Sequence, residues 1–203
     1  MPISKRVAKT VLISAALLFA PALAVASVSI LTRAEWGANA PTLEMPANTP
    51  VRLTIHHTAT KPQPGKSLAT KLKSLQRFSQ ASEKLSDGRL KVAWGDIPYH
   101  YYIDVNGAVG EGREAKFVGD SNTDYDLNGH LSVVLEGNFE DAPPTPAQIE
   151  SLVGLLADLA KRYSISWEAI EGHNHYASTA CPGKQLTALL PDIRKDVERA
   201  LSH

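Results

Sequence analysis

The chain of 203 residues holds one cysteine, Cys181, and no excess of either charge, since 21 Lys and Arg face 21 Asp and Glu. A lone cysteine excludes an internal disulfide. The charge balance lacks the basic excess of a nucleic-acid-binding domain and argues against nucleic acid as a partner. Long hydrophobic runs are also missing. The apolar stretch Val11 to Ala20 is too short for a bilayer span, which needs about 20 apolar residues, and no second run is long enough. There are no internal repeats and no low-complexity tract. These absences leave a compact domain with one unusual thiol.

Residues 1–26 read as a signal peptide. Lys5, Arg6 and Lys9 form a basic head, Val11 to Ala20 the apolar core, and Ala24-Val25-Ala26 the small-residue cleavage site before Ser27. The chain is therefore expected to be exported, periplasmic or secreted, with no transmembrane segment in the mature part. Residues 27–203 fit one domain. They are mildly acidic once the three basic leader residues are gone. Export places Cys181 in an oxidising compartment, where a free thiol is a liability. Ligation to a metal removes it, because a coordinated thiol is held deprotonated. The neighbours Thr179, Ala180, Pro182 and Gly183 suit a loop better than a core.

Residues 27–50 read as an N-terminal arm laid over the domain. Val51 to His57 alternates and predicts a strand. Val51, Leu53, Ile55 and His57 share one face, and Arg52, Thr54 and His56 the other. Ser67 to Leu85 has helical periodicity, closed by Ser86-Asp87-Gly88. Tyr99 to Val105 and Ala108 to Gly112 predict a hairpin around Asn106-Gly107, with Tyr99, Tyr101 and Ile103 on one face of the first strand. Asp120 to Asn128 reads as a polar loop and Leu131 to Leu135 as a strand. Thr145-Pro146-Ala147-Gln148 is a helix start, with a capping Thr, Pro at the first helical position and Gln closing a capping box. A last helix is expected from Pro191 to Leu201. The pattern predicts a mixed central β-sheet flanked by helices, an α/β single domain.

Two sequence stretches bring histidines to the cysteine: Thr54-Ile55-His56-His57-Thr58, and Gly172-His173-Asn174-His175 ahead of Thr179-Ala180-Cys181-Pro182-Gly183. One thiolate and two imidazoles make a three-ligand zinc set whose fourth position stays open, as catalysis requires. Strand parity favours His56 over His57, which falls on the apolar face. The residues alone do not choose between His173 and His175.

The ordered segments Arg33-Ala34-Glu35-Trp36-Gly37-Ala38, Ile55-His56-His57-Thr58-Ala59, Trp94 to Asp104, Gly107 to Arg113, Leu135-Glu136-Gly137-Asn138-Phe139 and Gly172-His173 with Thr179 to Gly183 carry a resemblance. The chain resembles the type 2 N-acetylmuramoyl-L-alanine amidase family, which includes peptidoglycan recognition proteins and phage lysozyme-type amidases. The resemblance implies metal ligands at His56, His173 and Cys181. It implies zinc-dependent hydrolysis of the amide joining the lactyl group of N-acetylmuramic acid to L-alanine. It places Tyr99 and Thr179 beside the reacting centre. Val134 and Cys181 stand where an anhydro-muropeptide branch carries glutamate and aspartate, so the likeness is to the recognition-protein and phage-type branch. Glu136 is a reserve acid/base candidate. The expected partner is peptidoglycan or a muropeptide, and the expected state a monomer. Two other readings compete: a binding module that does not cut, and a structural zinc protein with His57 or His175 as fourth ligand.

Overall fold

The computed structural model describes residues 28–84, 88 and 90–202. The expected signal peptide and the expected helix end at Leu85 to Asp87 lie outside the described residues. In chain order the elements are β1 (Ile30–Leu31), α1 (Arg33–Trp36), β2 (Arg52–His57), α2 (Leu68–Gln80), β3 (Glu83–Lys84), β4 (Leu90–Lys91), β5 (Tyr101–Ile103), β6 (Val109–Glu111), β7 (His130–Leu135), α3 (Pro146–Tyr163), β8 (Ile170–Gly172) and α4 (Lys184–Leu201).

Six strands form one mixed sheet in the order β1-β6-β5-β7-β2-β8. The β5–β6 pair is antiparallel, and β5–β7, β7–β2, β2–β8 and β1–β6 are parallel. Parallel strands are covered on both faces. Leu53 and Ile55 of β2, with Leu131, Val133 and Leu135 of β7, pack under α3 and α4 with Leu152, Leu155, Leu156, Leu186 and Ile193. On the opposite face Val134 and Tyr102 pack with Trp36 of α1 and Leu68 and Leu72 of α2. The alternation read from Val51 to His57 is therefore a division between two covered faces.

Helix α3 starts as its sequence dictates. Thr145 accepts from the Gln148 amide, Gln148 reaches back to the Thr145 amide, and Pro146 stands in the first turn. Four expectations need correction. The arm 27–50 is not merely laid over the domain: β1 is an edge strand of the sheet and Trp36 is buried. Helix α2 stops at Gln80, and Glu83–Lys84 then pairs antiparallel with Leu90–Lys91. Helix α4 begins at Lys184, seven residues before Pro191, which lies inside it. Its buried stripe Leu186, Leu190, Ile193 and Val197 runs straight across the proline, so core packing outweighs the lost backbone bond.

The fourth correction concerns Tyr99, expected to share a face with Tyr101 and Ile103. Consecutive residues Tyr99 and His100 both accept from consecutive amides, Arg113 and Gly112. A regular antiparallel ladder alternates its bonded pairs, so the regular strand ends here, and β5 begins only at Tyr101. Tyr99 turns to the α1/α2 side with Tyr102, while Tyr101 and Ile103 stay in the other core.

Candidate metal centre

The C-terminal ends of β2 and β8 are neighbours in the sheet, with Ile55 opposite Gly172. The pairing sets His56, one residue after Ile55, beside His173, one residue after Gly172. Their ring centroids lie 4.5 Å apart. The third member arrives from the loop before α4. Gly183 has φ +94°, a conformation L side chains rarely adopt, and a Cβ there would meet the Phe139 carbonyl carbon at 2.5 Å. The Gln185 amide bonds the Phe139 carbonyl, fixing the start of α4 against that turn. Cys181 is thereby held with Sγ 3.6 Å from His56 Nδ1. One donor atom from each of His56, His173 and Cys181 falls within 4.8 Å of the other two, the arrangement that could hold a metal ion.

The chemistry of the donors fits a metal. Among the described residues His56 Nε2 and His173 Nδ1 are buried with no hydrogen-bond partner, an uncommon condition for buried polar atoms. Burial, reinforced by the neighbouring His173, holds the His56 imidazole well below its usual pKa. Burial, then His57, brings His173 down to about 4. Burial pushes the Cys181 thiol up to about 12, opposed by the His57 backbone N–H, which donates to Sγ at 3.4 Å. The chain's own groups thus favour neutral imidazoles, the form that ligates. A bound dication would supply the charge that a thiolate needs in so dry a place.

His57 faces away, as parity requires. Its Nδ1 accepts from the Phe139 amide at 3.2 Å and its ring lies 6.1 Å from that of Phe139. His175 is exposed and stands edge-on to Tyr176. Neither joins the cluster, so the fourth-ligand reading lacks its ligand among the described residues. The Tyr99 ring sits 5.2 Å from the His56 ring. Burial raises the Tyr99 phenol pKa, helped by Cys181 and then Tyr125, so its hydroxyl stays protonated. Thr179 accepts from the Cys181 amide at 3.2 Å, a bond that shapes the loop.

Glu136 is not part of this group. It accepts from Lys71 Nζ at 2.7 Å and from the Gln63 and Val105 amides at 2.8 and 2.9 Å. Lys71 also pairs with Asp104 at 3.1 Å. Glu136 follows the last residue of β7 and is turned to Lys71 of α2, away from Cys181. Sequence reasoning missed Thr123, Tyr125 and His130. Thr123 Oγ1 lies 2.7 Å from His173 Nε2. The Tyr125 ring lies 5.1 Å from that of His173, and His130 bonds Thr54 at 2.6 Å. A threonine and a tyrosine inside the polar run 120–128 were the signal available.

Fold and cluster together define an α/β domain with a two-histidine, one-cysteine site at the ends of its parallel strands. Residues 46–184 match the family described as N-acetylmuramoyl-L-alanine amidase (Amidase_2), and the chain belongs to that family. It is 32% identical over 181 residues to peptidoglycan-recognition protein SC2 of Drosophila melanogaster, covering 88% of this chain and 93% of the relative. It is 30% identical over 143 residues to N-acetylmuramoyl-L-alanine amidase of Homo sapiens, covering 68% of this chain and 23% of that longer protein. The crystal structure of Drosophila peptidoglycan recognition protein SD superimposes with a TM-score of 0.69 at 30% identity, over 81% of this chain and 94% of that one. No helix among the described residues is long and apolar enough to cross a membrane.

Proposed function

We propose that this protein is an exported zinc-dependent N-acetylmuramoyl-L-alanine amidase. It would cut the amide between the lactyl group of N-acetylmuramic acid and L-alanine of peptidoglycan stem peptides. The observation that carries the reading is the complete donor set His56, His173 and Cys181, with two buried imidazole nitrogens left unpartnered. Zinc, when bound, supplies a Lewis acid and lowers the pKa of a ligated water to about 7. His56, His173 and Cys181 would hold the ion, and a set of three protein ligands is the kind that leaves room for water and substrate. Tyr99 keeps its proton and offers a hydroxyl beside the cluster, toward the oxygen on which negative charge grows. Thr179 keeps the Cys181 loop in shape and brings a second hydroxyl to the rim.

A recognition module that binds without cutting is the second reading, favoured by the names of the SC2 and SD relatives. The two separate in one experiment. The mature protein is incubated with purified sacculi, and released peptides are identified by mass spectrometry with and without a chelator. The amidase releases stem peptides with a free L-alanine amine, loses this on chelation and regains it with zinc. Binding to sacculi without release would establish the recognition module instead.

A further inference from the structure

Thr123 has no part in the reading above, yet among the described residues it makes the one hydrogen bond to the His173 ring. Its Oγ1 lies 2.7 Å from Nε2. On its other side Thr123 Oγ1 is 2.8 Å from Ser121 Oγ, and Ser121 Oγ accepts the Thr123 amide at 3.1 Å. The loop carrying both is anchored at its start. Arg113, almost fully buried, donates to the Val118 carbonyl and to the Asp120 carboxylate.

A neutral imidazole has one N–H and one lone pair, so the bond to Thr123 admits two arrangements. In one, Thr123 donates to Nε2. His173 Nδ1 then carries the proton, and that buried atom finds no acceptor among the described residues. In the other, Nε2–H donates to Thr123 Oγ1, and the Thr123 hydroxyl turns its own proton to Ser121 Oγ. Nδ1 is then a bare lone pair, the nitrogen His173 has left to offer the cluster it forms with His56 and Cys181. The second arrangement leaves no buried donor unmatched.

We infer that Thr123 is a positioning residue that fixes the His173 tautomer and presents Nδ1, not Nε2, to the metal. The inference rests on the zinc reading. A partner on the far nitrogen of a ligating histidine sets ring orientation and basicity, and its loss typically weakens metal affinity 10- to 100-fold.

The test measures zinc dissociation constants by chelator competition for the parent, Thr123→Val and Thr123→Ser. Long-range proton–nitrogen NMR of His173 is recorded in the zinc-loaded parent. Valine keeps the branched shape and deletes the hydroxyl, and it should bind zinc 10- to 100-fold more weakly. Serine should restore most of the affinity, a rescue that loss of packing alone would not give. The spectrum should show a proton on His173 Nε2 with zinc on Nδ1. Zinc on Nε2, or a folded Thr123→Val with parental affinity, would overturn the inference and leave the zinc reading standing. A parent that binds no zinc would overturn both. If Thr123→Val fails to fold, the parent spectrum decides alone.

Discussion

The protein buries two polar clusters at neighbouring ends of its sheet, and they are finished differently. Around Lys71, both carboxylates of Asp104 and Glu136 are paired, and the backbone amides of Gln63, Val105, Asn106 and Ala108 complete them. Around Cys181, His56 Nε2 and His173 Nδ1 are left with nothing. A satisfied buried network locks a structure, whereas an unsatisfied one needs an explanation outside the chain. The contrast separates a structural glutamate, the reserve acid/base candidate of the sequence, from a set of candidate ligands.

The largest effect belongs to the unsatisfied cluster. Cys181→Ser should remove stem-peptide release entirely and strip zinc from the protein by elemental analysis, with circular dichroism unchanged. Full zinc occupancy in that variant would erase the distinction between the clusters. A smaller loss sharpens it from the side. Tyr99→Phe deletes one hydroxyl near the site and should lower turnover by roughly two to three orders of magnitude. Zinc content and the Michaelis constant should hold, since neither needs that oxygen. Near-parental cutting would reduce Tyr99 to a packed aromatic of the α1/α2 side.

The smallest effect on chemistry comes from the satisfied network. Lys71→Met leaves two buried carboxylates facing each other and should cost about 3–5 kcal/mol of stability in denaturant titration. Zinc affinity and the turnover of the folded fraction should stay within about twofold, since the mechanisms that change stability need not touch the reaction. Loss of zinc from a folded Lys71→Met would mean that the two clusters are coupled.

Strand β2 and the start of α3 were legible because their information is local. An alternating run fixes two faces, and a capping box fixes a first turn. The same locality put His57 on the core side, where it meets Phe139. Helix α4 was misjudged for the opposite reason: Pro191 is a local signal, and the buried stripe that overrides it exists only against α3. The irregular backbone at Tyr99 is held by the chain that follows β6, and could not be read from its own neighbours.

The sequence by itself determined the composition of the site: one thiol, histidine pairs on two segments, and a glycine after Pro182 that lets the chain turn. Its order of motifs carried the family. The tertiary structure decided which histidine of each pair lies beside the cysteine, because the pairing of β2 with β8 brings His56 and His173 together and leaves His57 and His175 elsewhere. It also decided that Glu136 belongs to Lys71 and that Thr123 belongs to His173. Those partners are 65 and 50 residues apart in the chain. Contacts at such separations are set by how the sheet and its loops pack, which no local periodicity encodes.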